Sequence, residues 1–262
     1  MKLTDIIIYP VKSLRGISLT RGFAGIRGLM HDRRYLLVDD AGHFITQRKH
    51  PSMATFDVLP EENGFSVSQG GQMIHIPYEI SPVGKMDIDI WDDQLTALIA
   101  PENFSEWFSD HLGYSCHLVY MNDTIKRPVA EKYRVKNANV SFADALPYLL
   151  TGESSLHDLN SRLEVPVPMN RFRPNLVFSG GEAFSEDSFI RITIGDAIFR
   201  AVKPCARCIV TTTDQQTGDR GKEPLSTLAT YRKNENKVLF GQNLICLQEG
   251  NVYLGDKLVT TS

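Results

Sequence analysis

The sequence contains no long run of apolar residues. The apolar run near the N-terminus, Ile6-Ile7-Ile8-Tyr9-Pro10-Val11, is too short for the hydrophobic part of an export signal and far too short to span a bilayer. The run therefore predicts a strand. Because neither signal is present, we expect a cytoplasmic protein with no membrane partner.

An excess of positive charge is also missing. The chain has 31 acidic and 28 basic side chains, which gives a formal net charge of -3. A protein with this balance has no broad basic surface for nucleic acid or anionic lipid. We therefore expect no nucleic-acid partner, and any site for an anion must be local.

Cysteine is scarce, and it occurs only at Cys116, Cys205, Cys208 and Cys246. Without an export signal the thiols are expected to be reduced, so a disulfide framework is not predicted. Cys116 and Cys246 have apolar neighbours and are predicted to be inert core residues. Any cysteine chemistry is thus expected at the closely spaced pair, Cys205 and Cys208.

Other chemical motifs are absent as well. The chain has no second Cys-x-x-Cys and no histidine pair at zinc-finger spacing, which argues against a structural zinc site. It has no Gly-x-Gly-x-x-Gly motif after a strand, so it is not expected to take hydride from a nicotinamide by itself.

The residues that are present indicate a mixed, mainly β fold. Short β-type runs alternate with turn residues, and hairpins are predicted over 34–47, over 65–76 and at Gly195-Asp196. At 262 residues two modest domains are expected. We predict an N-terminal β-barrel-like domain over 1–122 and a second β-barrel domain with a few helices over 123–262.

Three helices are predicted from apolar residues at helical spacing. The first follows Pro101 and ends at Gly113, the second carries Leu156, Leu159 and Leu163, and the third runs from Pro224 to Tyr231. The polar stretch 122–139 is predicted to be a linker or a long loop.

The most informative segment is Lys203-Pro204-Cys205-Ala206-Arg207-Cys208. A thioredoxin-type site is disfavoured because it needs a helix after the cysteines, whereas the β-branched run 209–213 predicts a strand. Two buried structural thiols remain an alternative. Against this alternative, the charges of Lys203 and Arg207 would stabilise a thiolate, which is a soft ligand for a heavy metal.

An ordered set of motifs closely resembles the MOSC domain and the N-terminal β-barrel domain that accompanies it. By these motifs the chain is similar to the mitochondrial amidoxime reducing component and its bacterial counterparts, and the resemblance spans almost the whole sequence. The motifs are Tyr9-Pro10-Val11-Lys12-Ser13, Asp32-Arg33-Arg34-Tyr35, Thr46-Gln47-Arg48, 170–175 (Asn-Arg-Phe-Arg-Pro-Asn), Gly195-Asp196, 205–214 and Phe240-Gly241-Gln242-Asn243.

The resemblance implies a molybdenum cofactor bound through a pterin, and it assigns roles to particular residues. Cys208 is implied to be the metal ligand and a catalytic residue, with Cys205 beside the site, and Asp144 is implied to be a second catalytic residue. The start of the second helix is a further candidate for the phosphate. Ser155 is the cofactor-binding candidate at this helix start. The residues that the resemblance implies for cofactor binding are Lys12, Ser13, Arg33, Arg173, Asn175, Asn243 and Cys205.

The activity implied by the resemblance is a two-electron reduction of small N-hydroxylated compounds. Because the sequence has no Cys-x4-Cys-x2-Cys run, the electrons are expected from a separate iron-sulfur or flavin protein. MOSC domains also act as cofactor carriers or sulfur-transfer modules, so a role without substrate turnover is the alternative.

Overall fold

The computed structural model describes residues 1–133, 135 and 138–261, and this part of the chain is mainly β. The prediction of a mixed, mainly β fold is confirmed. The strands are β1 (Lys2–Ile8), β2 (Ile17–Leu19), β3 (Arg21–Gly25), β4 (Gly28–Leu29), β5 (Tyr35–Val38), β6 (Asp57–Glu61), β7 (Gly64–Gln69), β8 (Gln72–Pro77), β9 (Gly84–Ile90), β10 (Asp93–Ile99), β11 (His117–Tyr120), β12 (Tyr148–Gly152), β13 (Leu176–Ser179), β14 (Arg191–Ile194), β15 (Ala197–Arg207), β16 (Lys233–Asn234), β17 (Lys237–Gln248), β18 (Gly250–Tyr253) and β19 (Leu258–Thr261).

The three predicted helices are present. They are α1 (Glu102–Leu112), α2 (Glu153–Asn160) and α3 (Leu225–Tyr231). Helix α1 ends at Gly113, whose φ of 77° lies in the left-handed region and whose N–H bonds to the carbonyl of Ser109. Short 3-10 helices cover Pro51–Thr55, Glu131–Tyr133, Met169–Phe172, Ser185–Ser188 and Ile209–Thr212.

The largest sheet joins strands from both ends of the chain. Its order is β19-β14-β15-β17-β12-β13-β1-β2, with β16 paired to β17. Strand β1 pairs antiparallel with β13, with Ile6 opposite Leu176, and β3 pairs with β18. N-terminal strands are therefore built into the C-terminal half, and the boundary at residue 122 stays a prediction.

Two smaller sheets come from the first half of the chain, in the orders β5-β11-β10-β9 and β6-β7-β8. The predicted hairpins at 65–76 and at Gly195-Asp196 are confirmed. The hairpin over 34–47 is reduced to one bridge, Val38 to Phe44. At the turn, the Asp39 carboxylate accepts the backbone N–H groups of Ala41 and His43.

The strand predicted over 209–213 is wrong, because Ile209–Thr212 forms a 3-10 helix. Threonine hydroxyls return to the backbone here: Thr211 donates to the carbonyl of Cys208 at 3.0 Å and Thr212 to that of Ile209 at 2.8 Å. These local bonds compete with a strand ladder. Cys208 consequently lies at a junction, between the end of β15 and the 3-10 helix.

One apolar core spans both halves of the molecule, from Phe56 and Phe108 to Tyr148 and Phe199. Cys116 and Cys246 are each 2% exposed within it, as the sequence predicts. Over 1–133, 135 and 138–261, no helix is long and apolar enough to cross a membrane.

Candidate functional site

A cavity of about 230 Å³, which we call the cysteine cavity, lies where segments from both halves of the chain meet. Strand β15 and the turn after it contribute Cys205 and Cys208. Residues predicted from the sequence that line it are Lys12, Ser13, Arg33, Asp144, Arg173, Asn175, Cys205, Cys208 and Asn243.

The lining of the cysteine cavity is strongly positive although the whole protein is slightly acidic. One carboxylate, Asp144, faces six cationic side chains in the lining. Such a concentration of positive charge fits a polyanionic ligand. The cations are Lys12, Arg33, Arg48, Arg173, Lys203 and Arg207.

Both sulfurs of the cysteine pair lie beside guanidinium groups. The Nη1 atom of Arg207 is 3.0 Å from the Sγ atom of Cys205, and its Nη2 donates to the carbonyl of Phe172 at 2.7 Å. Burial lowers the pKa of Arg48, but Asp144 and Cys208 outweigh burial and raise it. The thiols are therefore not inert core groups, since each faces a cation at the cavity.

Residues 1–133, 135 and 138–261 contain no cluster of three or more His, Cys, Asp or Glu side chains that could hold a metal ion. A cysteine thiolate is a soft ligand that can complete the coordination of a metal carried by a cofactor.

Lys12 supplies a buried ammonium to the cavity. Its side chain is 6% exposed, and its Nζ donates to the carbonyl of Phe142 at 2.8 Å and to Asp144 at 2.5 Å. An ammonium has three donors, so one remains for a ligand. Burial lowers the pKa of Lys12 to about 8, with Asp144 opposing that shift.

This pKa makes anion binding at the cavity depend on pH. Above about pH 8 Lys12 is a neutral amine, whereas sulfate does not titrate in this range. We expect the affinity of the cofactor-free protein for sulfate to fall about tenfold between about pH 7 and about pH 9.5, the worth of one charged hydrogen bond. Isothermal titration calorimetry measures it. The Lys12→Arg variant should lose this pH dependence, because arginine stays charged over this pH range. If the affinity of Lys12→Arg for sulfate fell by the same factor, Lys12 would not be the source of the pH dependence.

Asp144 lies between two cations. Its carboxylate bonds Lys12 through one oxygen and Arg48, at 2.9 Å, through the other. Burial raises the pKa of Asp144, but Lys12 and Arg48 outweigh it and hold that pKa well below its usual range. Asp144 is therefore an anion at neutral pH, which suits the orientation of cations and not the donation of a proton.

The loop that carries Asp144 is held by a buried guanidinium that the sequence reasoning missed. Arg127 is 4% exposed and donates to the backbone carbonyls of Ser141, Ala143 and Asp144. Its Nε bonds Asp93 at 2.7 Å. No local motif marks Arg127, because its partner Asp93 lies on β10, 34 residues earlier.

Arg33 belongs to a buried polar set below the cavity. It pairs with Asp32 at 2.6 Å, and the Asp32 side chain is 0% exposed. Its Nη1 also donates to the side-chain oxygen of Asn175 at 3.0 Å. Asn175 further accepts the N–H of Leu149 and donates to the carbonyl of Ile7. With its amide committed to these contacts, Asn175 positions Arg33.

Arg173 has few protein partners for its charge. It occupies a left-handed conformation with φ 53°, stacks over Tyr9 at 4.2 Å and makes one long bond of 3.4 Å to Gln215. Burial lowers the pKa of Arg173 to about 10, with the charge of Arg33 adding to that effect. A half-satisfied guanidinium aimed at a cavity is suited to phosphate.

Ser155 does not line the cysteine cavity, so the structure does not bring this candidate to the others. Its hydroxyl is fully buried, donates to the carboxylate of Glu186 and accepts the N–H of Phe184 at 2.8 Å. These hydrogen bonds connect α2 to the segment that follows β13, so the hydroxyl is already engaged within the protein.

Arg48 is a lining residue to which the sequence analysis assigns no role beyond its place in a motif. The structure places it between Asp144 and Cys208, and its guanidinium stacks over Trp91 at 4.4 Å. The signal that could have found it is its place in the motif Thr46-Gln47-Arg48, of which all three residues line the cavity.

Comparison with known proteins matches both halves of the chain to family models: residues 1–115 to the MOSC N-terminal beta barrel domain and residues 137–259 to the MOSC domain. Mitochondrial amidoxime reducing component 2 of Rattus norvegicus is 32% identical over 97% of this chain and 81% of its own length. Mitochondrial amidoxime-reducing component 1 of Homo sapiens is 30% identical over 95% of this chain and 80% of its own length.

Molybdenum cofactor sulfurase of Oryza sativa subsp. japonica is 32% identical over 91% of this chain, but the match covers 32% of that longer protein. The chain thus spans about a third of the sulfurase and about four fifths of the two amidoxime reducing components. From these matches, with the motifs gathered at the cysteine cavity, the chain belongs to the family of MOSC-domain proteins that carry the MOSC N-terminal β-barrel domain.

Proposed function

We propose that the protein is a molybdenum-cofactor-dependent reductase of small N-hydroxylated compounds. Membership of the MOSC family indicates a molybdenum cofactor. The observation that supports the proposal is that the cysteine cavity is lined by the pair Cys205 and Cys208 together with six cations and a single carboxylate. A sulfur ligand and an anion site in one cavity match a metal held by an anionic pterin.

The residues of this chain divide the work of holding such a group. Lys12 and Arg173, each with donors left over from protein contacts, would bind the phosphate and pterin, and Arg33 would add a charge fixed by Asp32. Ser13 and Asn243 also line the cavity. Cys208 would supply the thiolate to the metal. Bound there, the cofactor would supply two-electron redox chemistry.

The overall reaction breaks one N–O bond. An N-hydroxylated substrate, two electrons and two protons give the reduced nitrogen compound and one water. In this scheme Arg48 orients the substrate oxygen beside Cys208, and Asp144 holds Arg48 in place. Because Asp144 is an anion between two cations, it is not assigned as a proton donor, and the two protons come from solvent.

The electrons are proposed to come from a separate iron-sulfur or flavin protein. We expect the purified holoprotein to reduce an aliphatic hydroxylamine with reduced methyl viologen, and to give no turnover with NADH as the only reductant. The measurement is anaerobic oxidation of the donor with product analysis. Equal turnover rates with NADH and with methyl viologen would refute the separate donor.

The cytoplasmic location stays a prediction, since similar proteins are named as mitochondrial.

The match to a molybdenum cofactor sulfurase favours a second candidate, a cofactor-carrying or sulfur-transfer module. The two functions differ in what happens to the cofactor. A reductase retains it through many turnovers, whereas a carrier passes it to a cofactor-free acceptor enzyme and does not reduce the hydroxylamine. Pterin content before and after each incubation distinguishes them.

A further inference from the structure

A second, open cavity of about 670 Å³ adjoins the cysteine cavity. We call it the Trp91 cavity. The two cavities share Thr46 and Arg48 in their linings, which makes them neighbours on either side of the Arg48 side chain. Its lining is His43, Phe44, Thr46, Arg48, Lys49, Asp89, Trp91, Asp92 and Gln94.

Trp91 is held in an unusual place for a large side chain. It is the first residue of the two-residue turn between β9 and β10, where Ile90 pairs with Asp93, and its φ is 57°. Glycine is the usual residue with this conformation in such turns. The indole nevertheless remains 44% exposed, and it contributes to the wall of a cavity instead of the core.

The aromatic wall is fixed by its neighbours. Arg48 stacks over the indole at 4.4 Å, and the ring of Phe44 meets it edge-on at 5.0 Å between centroids. The indole N–H points to Asp144 at 3.4 Å. Trp91 is therefore linked directly to both side chains that approach the reacting centre, Arg48 and Asp144.

The charges of the Trp91 cavity balance, unlike those of the cysteine cavity. Arg48 and Lys49 are matched by Asp89 and Asp92. Asp89 accepts a hydrogen bond from Gln94 at 3.1 Å. An aromatic wall with no net charge favours a flat and neutral molecule over a strongly charged one.

We propose that the Trp91 cavity is the subsite that binds the body of the substrate, and that it selects flat, conjugated, neutral N-hydroxylated compounds such as aromatic amidoximes. The inference rests on the proposed function. In it the aromatic ring stacks against Trp91 while the N–OH group lies along Arg48 toward Cys208. N-hydroxylated compounds without a ring make no stacking contact with Trp91, so this cavity adds nothing to their binding affinity.

The first test compares two substrates that differ only in the ring, benzamidoxime and acetamidoxime, with the holoprotein. Trp91→Ala should raise KM for benzamidoxime about tenfold more than KM for acetamidoxime, because only the substrate with the ring loses an aromatic contact, whereas loss of the indole beside Arg48 and Asp144 affects both substrates alike. Trp91→Phe should restore most of the loss. Tyr253→Ala is the matched control, because Tyr253 is 45% exposed and lines neither cavity. Equal changes for both substrates, or no change for either, would overturn the proposal.

The second test does not depend on catalysis. The chain has two tryptophans, so Trp107→Phe leaves Trp91 as the single indole reporter. Benzamidoxime should quench its fluorescence to saturation, and acetamidoxime at the same concentrations should not. Saturable quenching without any reductase activity would retain the subsite and reject the proposed function. Turnover of benzamidoxime with no quenching and an unchanged KM in Trp91→Ala would reject the subsite alone.

Discussion

Replacing Cys208 with serine is expected to reduce hydroxylamine reduction to background, because the proposed metal ligand is lost while the cavity keeps its shape. Cys205→Ser is the matched control. Its sulfur contacts Arg207 at 3.0 Å and is not assigned as the ligand, so this variant should lose about 10- to 100-fold, the effect typical of groups that support a ligand.

Steady-state rates per bound molybdenum separate these two effects from differences in cofactor loading. Both variants should unfold at temperatures near that of the unsubstituted protein, since Cys205 and Cys208 are only partly buried. Full activity in Cys208→Ser, or equal residual activity in the two variants, would overturn the assignment of Cys208 as the ligand.

Arg33→Gln is expected to cause the largest loss of stability among the site variants. It leaves the carboxylate of Asp32 buried at 0% exposure without its ion-pair partner. Breaking such a pair from one side costs about 3–5 kcal/mol of the free energy of unfolding. Chemical denaturation of the cofactor-free protein measures it, and cofactor content should fall in parallel.

Two further variants define the cause of that loss. Adding Asp32→Asn to Arg33→Gln removes the unpaired charge and should recover a clear part of the lost stability. Arg162→Gln, which breaks an exposed ion pair with Asp158, should leave the unfolding midpoint near its original value. If Arg33→Gln were as stable as Arg162→Gln, the buried pair would not have the role given to it.

The sequence was informative about groups that lie within short motifs. Lys12, Arg33, Arg173 and Cys208 each belong to such a motif, and the fold brings all four to one cavity. Their convergence depends on sheet pairing, in particular β1 against β13, which places the first motif beside the Arg-Pro-Asn segment.

Other parts of the site could not be predicted because their cause is distant in sequence. The role of Arg127 depends on Asp93 on β10, 34 residues earlier in the sequence. The role of Trp91 depends on Arg48, which precedes it by 43 positions in the printed sequence. Ser155 was misplaced for a related reason. A serine at a helix start suggests a free hydroxyl near an anion site, but Glu186, 31 residues later, takes it.

Under the proposed function, turnover requires a molybdenum cofactor in the cysteine cavity, so the rate must depend on metal content. The protein would be produced in hosts that make the cofactor and in hosts that cannot, which gives samples with different contents of bound cofactor. Each sample would be assayed with an aliphatic hydroxylamine and reduced methyl viologen. We expect a rate proportional to bound molybdenum, with pterin in equal amount and no turnover in the absence of the cofactor. Reduction at the same rate by protein free of molybdenum and pterin, or none by fully loaded protein, would contradict the proposed function.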